Sequence, residues 1–521
     1  MGARLWDLLL GVWLLGVTAC GDGGDGSVDD ATGSGGATGS GGTPATAPDV
    51  PDLTKFDLLG TDVGGELHVT ACGSPDCDVC DALGFYGDGA CDDSLIAAGF
   101  CLGPDPDCSP AEATYYVAPD GDDTSDGSLT APFATVQHAQ DVAQPGDLIY
   151  LRGGTYVPDD RTIFRSQGTP SAPIRLRAYP GEAPVIDGSA IPEGDVDGPS
   201  TATWLFDGAR HWQVQGPIHL TEGRGAGLAI EGETGDIDFV LIESSFNGRT
   251  ASRGGHGFSI VAEEWASVEN VRFVDCDAHH NANHRIQPGE DVAENLYQHG
   301  DGWRIKSGRG VELIGCRAWN NLDDGYDFTD ARDGILMYEC WAAYTGYDDA
   351  QGSMTGTPGF AAEWGEGIKL SYDDDVAPHR AVRCLSWGNV HLGYRVDGGP
   401  NEIISSSAVG NGRRALGWDL TAQPTVLTGN LDHDSYREST IPENIQSSYN
   451  SWDEATAVSV SDDDFLSLDD AGMLGPRSSD GSLPVTDFAR LAADSDLVDA
   501  GTDTGDWYLG AAPDLGCFEA R

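Results

Sequence analysis

Asp301-Gly302-Trp303-Arg304-Ile305 returns 23 residues later as Asp324-Gly325-Tyr326-Asp327-Phe328, with Cys316 and Asn321 between the two. The same order continues outward in both directions. Gly257-Phe258-Ser259-Ile260 precedes Cys276 and Asn281. Gly367-Ile368-Lys369-Leu370 precedes Cys384 and Asn389, and Gly393-Tyr394-Arg395-Val396 precedes Ser407 and Asn411. Cys340 stands 24 residues after Cys316. Glycine, a large apolar residue, a variable residue and a second apolar residue, repeated in the low twenties with no helical spacing between copies, describe an all-β parallel β-helix, in which each coil buries its apolar face on the next. Leucine-rich repeats share the period but need regular leucines, which are missing. The 42 residues from Gly325 to Gly367 read as one coil plus an inserted loop, Asp348 to Trp364.

Stacked coils lie about 4.8 Å apart, so equivalent positions become neighbours. Cys276, Cys316, Cys340 and Cys384 then form a buried ladder of small apolar side chains. The residue two past each glycine gives a column, Ser259, Arg304, Asp327, Lys369 and Arg395, which alternation turns toward solvent. The residue before the glycine gives another: Asp301, Asp324 and Glu366. Three residues separate the columns, so strict alternation sets them on opposite faces unless the glycine marks a bend.

With a bend, Asp301, Asp323, Asp324 and Asp327 converge beside Lys369, Arg304 and Arg395. Carboxylates that close repel one another unless a cation sits among them, and an all-oxygen donor set favours Ca²⁺. Against this stands the abundance of Asp-Asp pairs in a chain with 85 acidic residues, where a lone pair is a solvated turn.

Of the 28 Lys and Arg residues only Lys55, Lys306 and Lys369 are lysine. A lysine kept near clustered carboxylates can lose its proton and act as a base, which a guanidinium cannot. Lys306 rivals Lys369, but it falls at a coil edge before the Ser307-Gly308 turn. His279, His280 and His284, with Asn281 and Asn283, read as a polar loop between coils rather than a second metal site.

At these residues the sequence resembles family 9 polysaccharide lyases, the pectate and polygalacturonate lyases on a right-handed parallel β-helix. The motifs are His299-Gly300-Asp301-Gly302-Trp303, then Cys316-Arg317-Ala318-Trp319-Asn320-Asn321-Leu322-Asp323-Asp324-Gly325-Tyr326-Asp327, then Gly367-Ile368-Lys369-Leu370. Tyr115-Tyr116-Val117-Ala118-Pro119-Asp120-Gly121 is similar to the start of such helices, and Pro513-Asp514-Leu515-Gly516-Cys517-Phe518-Glu519 to their end, so the resemblance covers residues 113–521. It implies Asp301, Asp323, Asp324 and Asp327 as calcium ligands, Lys369 as catalytic base, and β-elimination on a polyuronate, pectate or polygalacturonate foremost. Arg304 and Arg395 would then grip sugar carboxylates. Glu366 departs from the neutral residue expected there and would hold the lysine charged. The rival readings are a β-helix glycoside hydrolase, which needs paired carboxylates without obligatory calcium, and a non-catalytic surface carbohydrate-binding protein.

The amino-terminal residues address location. Arg4, the apolar run Leu8 to Val17, and Val17-Thr18-Ala19-Cys20 read as a lipoprotein signal peptide (1–20) ending in a lipobox, too short to span a membrane. Cys20 becomes the lipidated residue. Gly21 after it, in place of an inner-membrane-retaining aspartate, favours outer-membrane or surface display over inner-membrane retention, with secretion as the alternative. Residues 21–50, rich in Gly, Ser and Thr, are a flexible linker. Residues 51–110 carry Cys72, Cys77, Cys80, Cys91, Cys101 and Cys108 and read as a small disulfide-rich module. The net charge of −57 argues against nucleic acid and anionic membranes as partners, leaving the lipid anchor as the membrane contact. It also opposes the acidic polysaccharide that the resemblance implies as substrate, so local calcium and arginine must overcome a repulsive field. The chain is expected to be a monomer.

Overall fold

A computed structural model describes residues 113–192, 202–248, 255–261, 268–282, 300–331, 333–346, 365–371, 377–417, 425–435, 445–478 and 481–520. The signal peptide, the linker, the six-cysteine module, His284, His299 and the 348–364 insertion lie outside them.

Every paired strand among the described residues runs parallel to its neighbour one coil away. Nine strands, from Thr162–Phe164 through Phe258–Ile260, Trp303–Ile305, Tyr326–Asp327, Ile368–Ser371 and Leu392–Val396 to Arg414–Gly417, stack in chain order into one sheet. A second sheet of twenty strands wraps the remaining sides. Its long strands Arg210–Thr221 and Gly235–Ser245 divide in later coils into two pieces, such as Glu269–Val274 and Asp277–His279. The helix Val136–Val142, capped by the Thr135 side chain, packs beside the first coil. Among the described residues no helix is long and apolar enough to cross a membrane.

The coils turn at single left-handed residues. Leu241, Asp275, Glu339, Arg383 and Ser405 mark one corner, and Phe246, His280, Asn320 and Tyr344 the next, all with φ between 45° and 56°. Few of these are the Asn, Asp or Gly that tolerate such geometry most readily. The inter-coil bond compensates: Asp275 N donates to Ile314 O at 2.8 Å and Arg383 N to Ile404 O at 3.0 Å, so the ladder continues through the bend.

The interior is a set of ladders. Phe258 lies 4.0 Å from Trp303 in a stacked pair, and Trp303 stacks in turn on Tyr326. Cys276, Cys316, Cys340 and Cys384 are free thiols, fully buried, as the repeat register requires. The next rung is Ser406 rather than Ser407: Ser406 Oγ bonds Ile404 O two residues back, as Cys384 Sγ bonds Val382 O, and Leu385 is in register with Ser407. Asn247, Asn281 and Asn321 chain amide to amide at 3.0 Å, and Asn389 with Asn411 at 2.9 Å, satisfying the buried corner backbone.

The repeat glycines serve close approach. A Cβ on Gly302 would lie 2.6 Å from Gly325 O and 2.8 Å from Asn321 Nδ2, and one on Gly325 2.5 Å from Gly367 O. None of Gly257, Gly302, Gly325, Gly367 or Gly393 has positive φ, so glycine is required there for close approach: the next coil's carbonyl and the corner asparagine, or Thr345 at Gly325, occupy the space where a side chain would stand.

Candidate metal and catalytic site

The register across the nine-stranded sheet builds the column expected from the repeat. Ser259 pairs with Arg304, Arg304 with Asp327, Asp327 with Lys369, and Lys369 with Arg395. The column faces outward but is covered: Ser259 is fully buried and Asp327 only 5 % exposed, where alternation had suggested solvent.

The second column meets it on the same side. Asp324 N donates to Asp301 Oδ1 at 3.1 Å, and Glu366 N donates to Asp324 Oδ1 at 2.9 Å, so each carboxylate is held by the backbone of the next coil. Lys369 Nζ lies 3.1 Å from Asp324 Oδ2 and 3.8 Å from Asp327 Oδ1. Arg304 Nη1 reaches Asp301 Oδ2 at 3.4 Å and Asp327 Oδ2 at 4.0 Å.

Asp301, Asp323 and Asp324 each offer a carboxylate oxygen within 4.8 Å of the others. All three are buried. Asp327 stands slightly apart, accepting from Thr329 N at 2.9 Å and facing Lys369 and Arg304. Burial, followed by the charge of Asp301, pushes the Asp323 carboxyl well above its ordinary range. Asp324 is likewise raised, by burial and then by Glu366 and Asp323, against the pull of Lys369. This is an excess of negative charge in a pocket of oxygen donors, and it fits a hard divalent cation. Burial disfavours a charged Lys369, yet Asp324, Asp327, Glu366 and Asp323 outweigh it and raise the ammonium pKa well above normal.

One partner, His256, precedes Gly257, one coil before the column of Asp301, Asp324 and Glu366, and another, Glu366, has more contacts than its column position gives. His256 is buried; its Nδ1 accepts from Asp301 N at 3.3 Å and lies 3.1 Å from Asp301 Oδ2. The fold thus places it directly behind a candidate ligand. Glu366 does not point its charge at lysine alone. His391 Nδ1 lies 3.0 Å and Arg395 Nη1 2.9 Å from Glu366 Oε1, and Arg395 Nε also bonds Asp397. Arg395 is thus committed to two buried carboxylates, whereas Arg304 keeps its side chain 15 % exposed beside Asp301.

Lys306 pairs at 3.0 Å with Asp330, an exposed residue at the coil edge. His279 closes the strand Asp277–His279 instead of lying in a loop; its Nε2 meets Glu243 Oε1 at 3.1 Å and its ring stacks on Trp319.

With this geometry in view, the relationship to known proteins is direct. Residues 115–430 match the family model described as Pel9A-like, right handed beta helix region. Pectate lyase L of Dickeya dadantii (strain 3937) is 28 % identical over 431 residues, covering 78 % of this chain and 90 % of the relative. Pectate lyase PEL9 of Emericella nidulans is 28 % identical over 415 residues, 75 % of this chain and 95 % of that one. The crystal structure of pectate lyase Pel9A superposes with a TM-score of 0.64 at 26 % identity, over 78 % of this chain and 96 % of that one. The fold and these relatives define the class, polysaccharide lyase. The chain belongs to the Pel9A-like right-handed β-helix family.

Proposed function

We propose that the protein cleaves a polyuronate, pectate or polygalacturonate, by calcium-dependent β-elimination with Lys369 as base. The observation that carries this reading is the buried trio Asp301, Asp323 and Asp324 set beside a lysine 3.1 Å from one of its members. The names of the relatives support the substrate class.

Asp301, Asp323 and Asp324 would hold the ion, with Asp327 as the fourth carboxylate of the set. A divalent cation bound there supplies positive charge that neutralises the sugar carboxylate and offsets the aspartate field on the lysine, freeing it to deprotonate. Lys369 Nζ then takes the C5 proton of the uronate. The C5–H electron pair forms the C4–C5 double bond as the C4–O bond breaks, and the leaving oxygen takes a proton from solvent. Arg304, partly exposed beside the cluster, is placed to meet a neighbouring sugar carboxylate.

Export and a lipid anchor at Cys20 put the enzyme on the cell envelope, where such a polymer is met. The test is ultraviolet absorbance: elimination yields an unsaturated, absorbing uronide and is stopped reversibly by chelation, whereas new reducing ends without absorbance would establish hydrolysis instead.

A further inference from the structure

We propose that Arg413 is a substrate-binding residue, gripping the carboxylate of a uronate several sugars along the chain from the bond that is cleaved. The identity of the polymer rests on the lyase reading above.

The repeat places Arg413 on the edge that carries the carboxylate cluster. Asp323, Gly365 and His391 each stand two residues before a repeat glycine. Arg413 stands two before Ala415, which takes the glycine position in the last strand of the nine-stranded sheet, where Tyr394 is in register with Leu416. The backbone joins this column: His391 N donates to Gly365 O at 3.2 Å, and Arg413 N to His391 O at 2.8 Å. Three coils at about 4.8 Å each set Arg413 about 14 Å from Asp323 along the axis.

Cations nearer the cluster are already committed. Lys369 faces Asp324 and Asp327, Arg304 faces Asp301 and Asp327, and Arg395 is held by Glu366 and Asp397. Arg413 differs: it is exposed, and among the described residues its side chain pairs with no carboxylate and meets His391 Nε2 through Nη1. His391 is only 8 % exposed, and its Nδ1 lies 3.0 Å from Glu366 Oε1. Facing a carboxylate, Nδ1 carries the proton, which leaves Nε2 to accept from Arg413. A buried histidine thus aims the guanidinium, whose remaining N–H groups are open to a ligand. Beside it Arg414 also pairs with no carboxylate among the described residues, and its Nε is buried without a hydrogen bond. In a chain of net charge −57, two such arginines on the edge that holds the cluster attract a polyanion locally. The planar fork of arginine matches a carboxylate with two parallel bonds, and a polyuronate running along the sheet from the cluster presents one on every sugar. The grip that spacing assigns to Arg395 falls instead to Arg413.

The test is calorimetric titration of hexagalacturonate, with calcium present, into the full chain carrying Lys369→Arg, alone and combined with Arg413→Gln or Arg413→Lys. Removing the charge should weaken binding by at least about threefold, the lysine variant should lose less, and the difference should shrink as salt is raised. Digalacturonate, too short to join the cluster to Arg413, should bind all three alike. With Lys369 intact, Arg413→Gln should raise KM on polygalacturonate by a similar factor while kcat changes far less, with melting curves confirming that each variant is folded. Absence of hexagalacturonate binding, binding indifferent to Arg413, an equal loss with digalacturonate, or a fall in kcat at unchanged KM would overturn the proposal. If the lyase reading alone fails, no absorbing product forms while hexagalacturonate binding still depends on Arg413.

Discussion

Lys369 and Asp324 are 45 residues apart in the chain, yet Nζ of one lies 3.1 Å from Oδ2 of the other. The parallel register of Asp327 with Lys369 and the backbone bond from Glu366 N to Asp324 bring them together. The ladder that stabilises the coil thus also assembles the site, and the two functions are separable by mutation.

Removing a ligand should weaken the ion first. Asp324→Ala is expected to lower calcium affinity by at least about tenfold, because one charged oxygen donor is lost from a set of few, and excess calcium should restore part of the rate. Calorimetry on the folded variant showing unchanged calcium affinity would contradict the ligand assignment.

His256 tests the support behind the ligands. His256 Nδ1 accepts from Asp301 N at 3.3 Å and packs 3.1 Å from Asp301 Oδ2, which fixes the position of that residue. His256→Ala should reduce calcium affinity by about tenfold, as loss of a ligand's hydrogen-bond partner commonly does. The same calorimetric titration reads it, and wild-type affinity would show that Asp301 needs no such support.

The glycine column tests the fold. A methyl at Gly302 meets Gly325 O at 2.6 Å and the Asn321 amide at 2.8 Å, and neither can retreat without breaking the ladder. Gly302→Ala should cost about 1–3 kcal/mol, read as a lowered melting temperature. A neutral effect would mean that the corner is looser than its distances indicate.

Much of this was legible in the chain. The period, the four cysteine rungs and the Asp301, Asp324 and Lys369 positions follow from counting, because in a solenoid equal sequence position means spatial adjacency. What escaped lacks a period. Leu241, Phe246 and Glu339 occupy left-handed corners that composition does not announce. Arg477 clamps Asp277 across 200 residues. The commitment of Arg395 to Glu366 and Asp397 depends on side-chain reach, which spacing alone does not give.

The carboxyl-terminal segment adds a pH dependence. Burial, reinforced by Asp514 and opposed by Arg383, raises the Glu519 carboxyl from 4.5 to about 7. The folded form thus binds a proton that the unfolded chain has released between these values, so this contribution is present below about pH 4.5 and fades as pH rises through about 7. Glu519→Gln should flatten that slope in melting temperature. A variant that keeps the wild-type slope would exclude Glu519 as its source.

The central claim is that Lys369 removes the proton. Lys369→Arg keeps the charge beside Asp324, but its pKa above about 12 leaves almost no neutral base. Turnover of polygalacturonate, followed by ultraviolet absorbance at several pH values, should fall at least about a hundredfold while calcium binding and folding persist, and Lys306→Arg should retain most activity. Near-native turnover in Lys369→Arg together with loss in Lys306→Arg would contradict the account and move the base to Lys306.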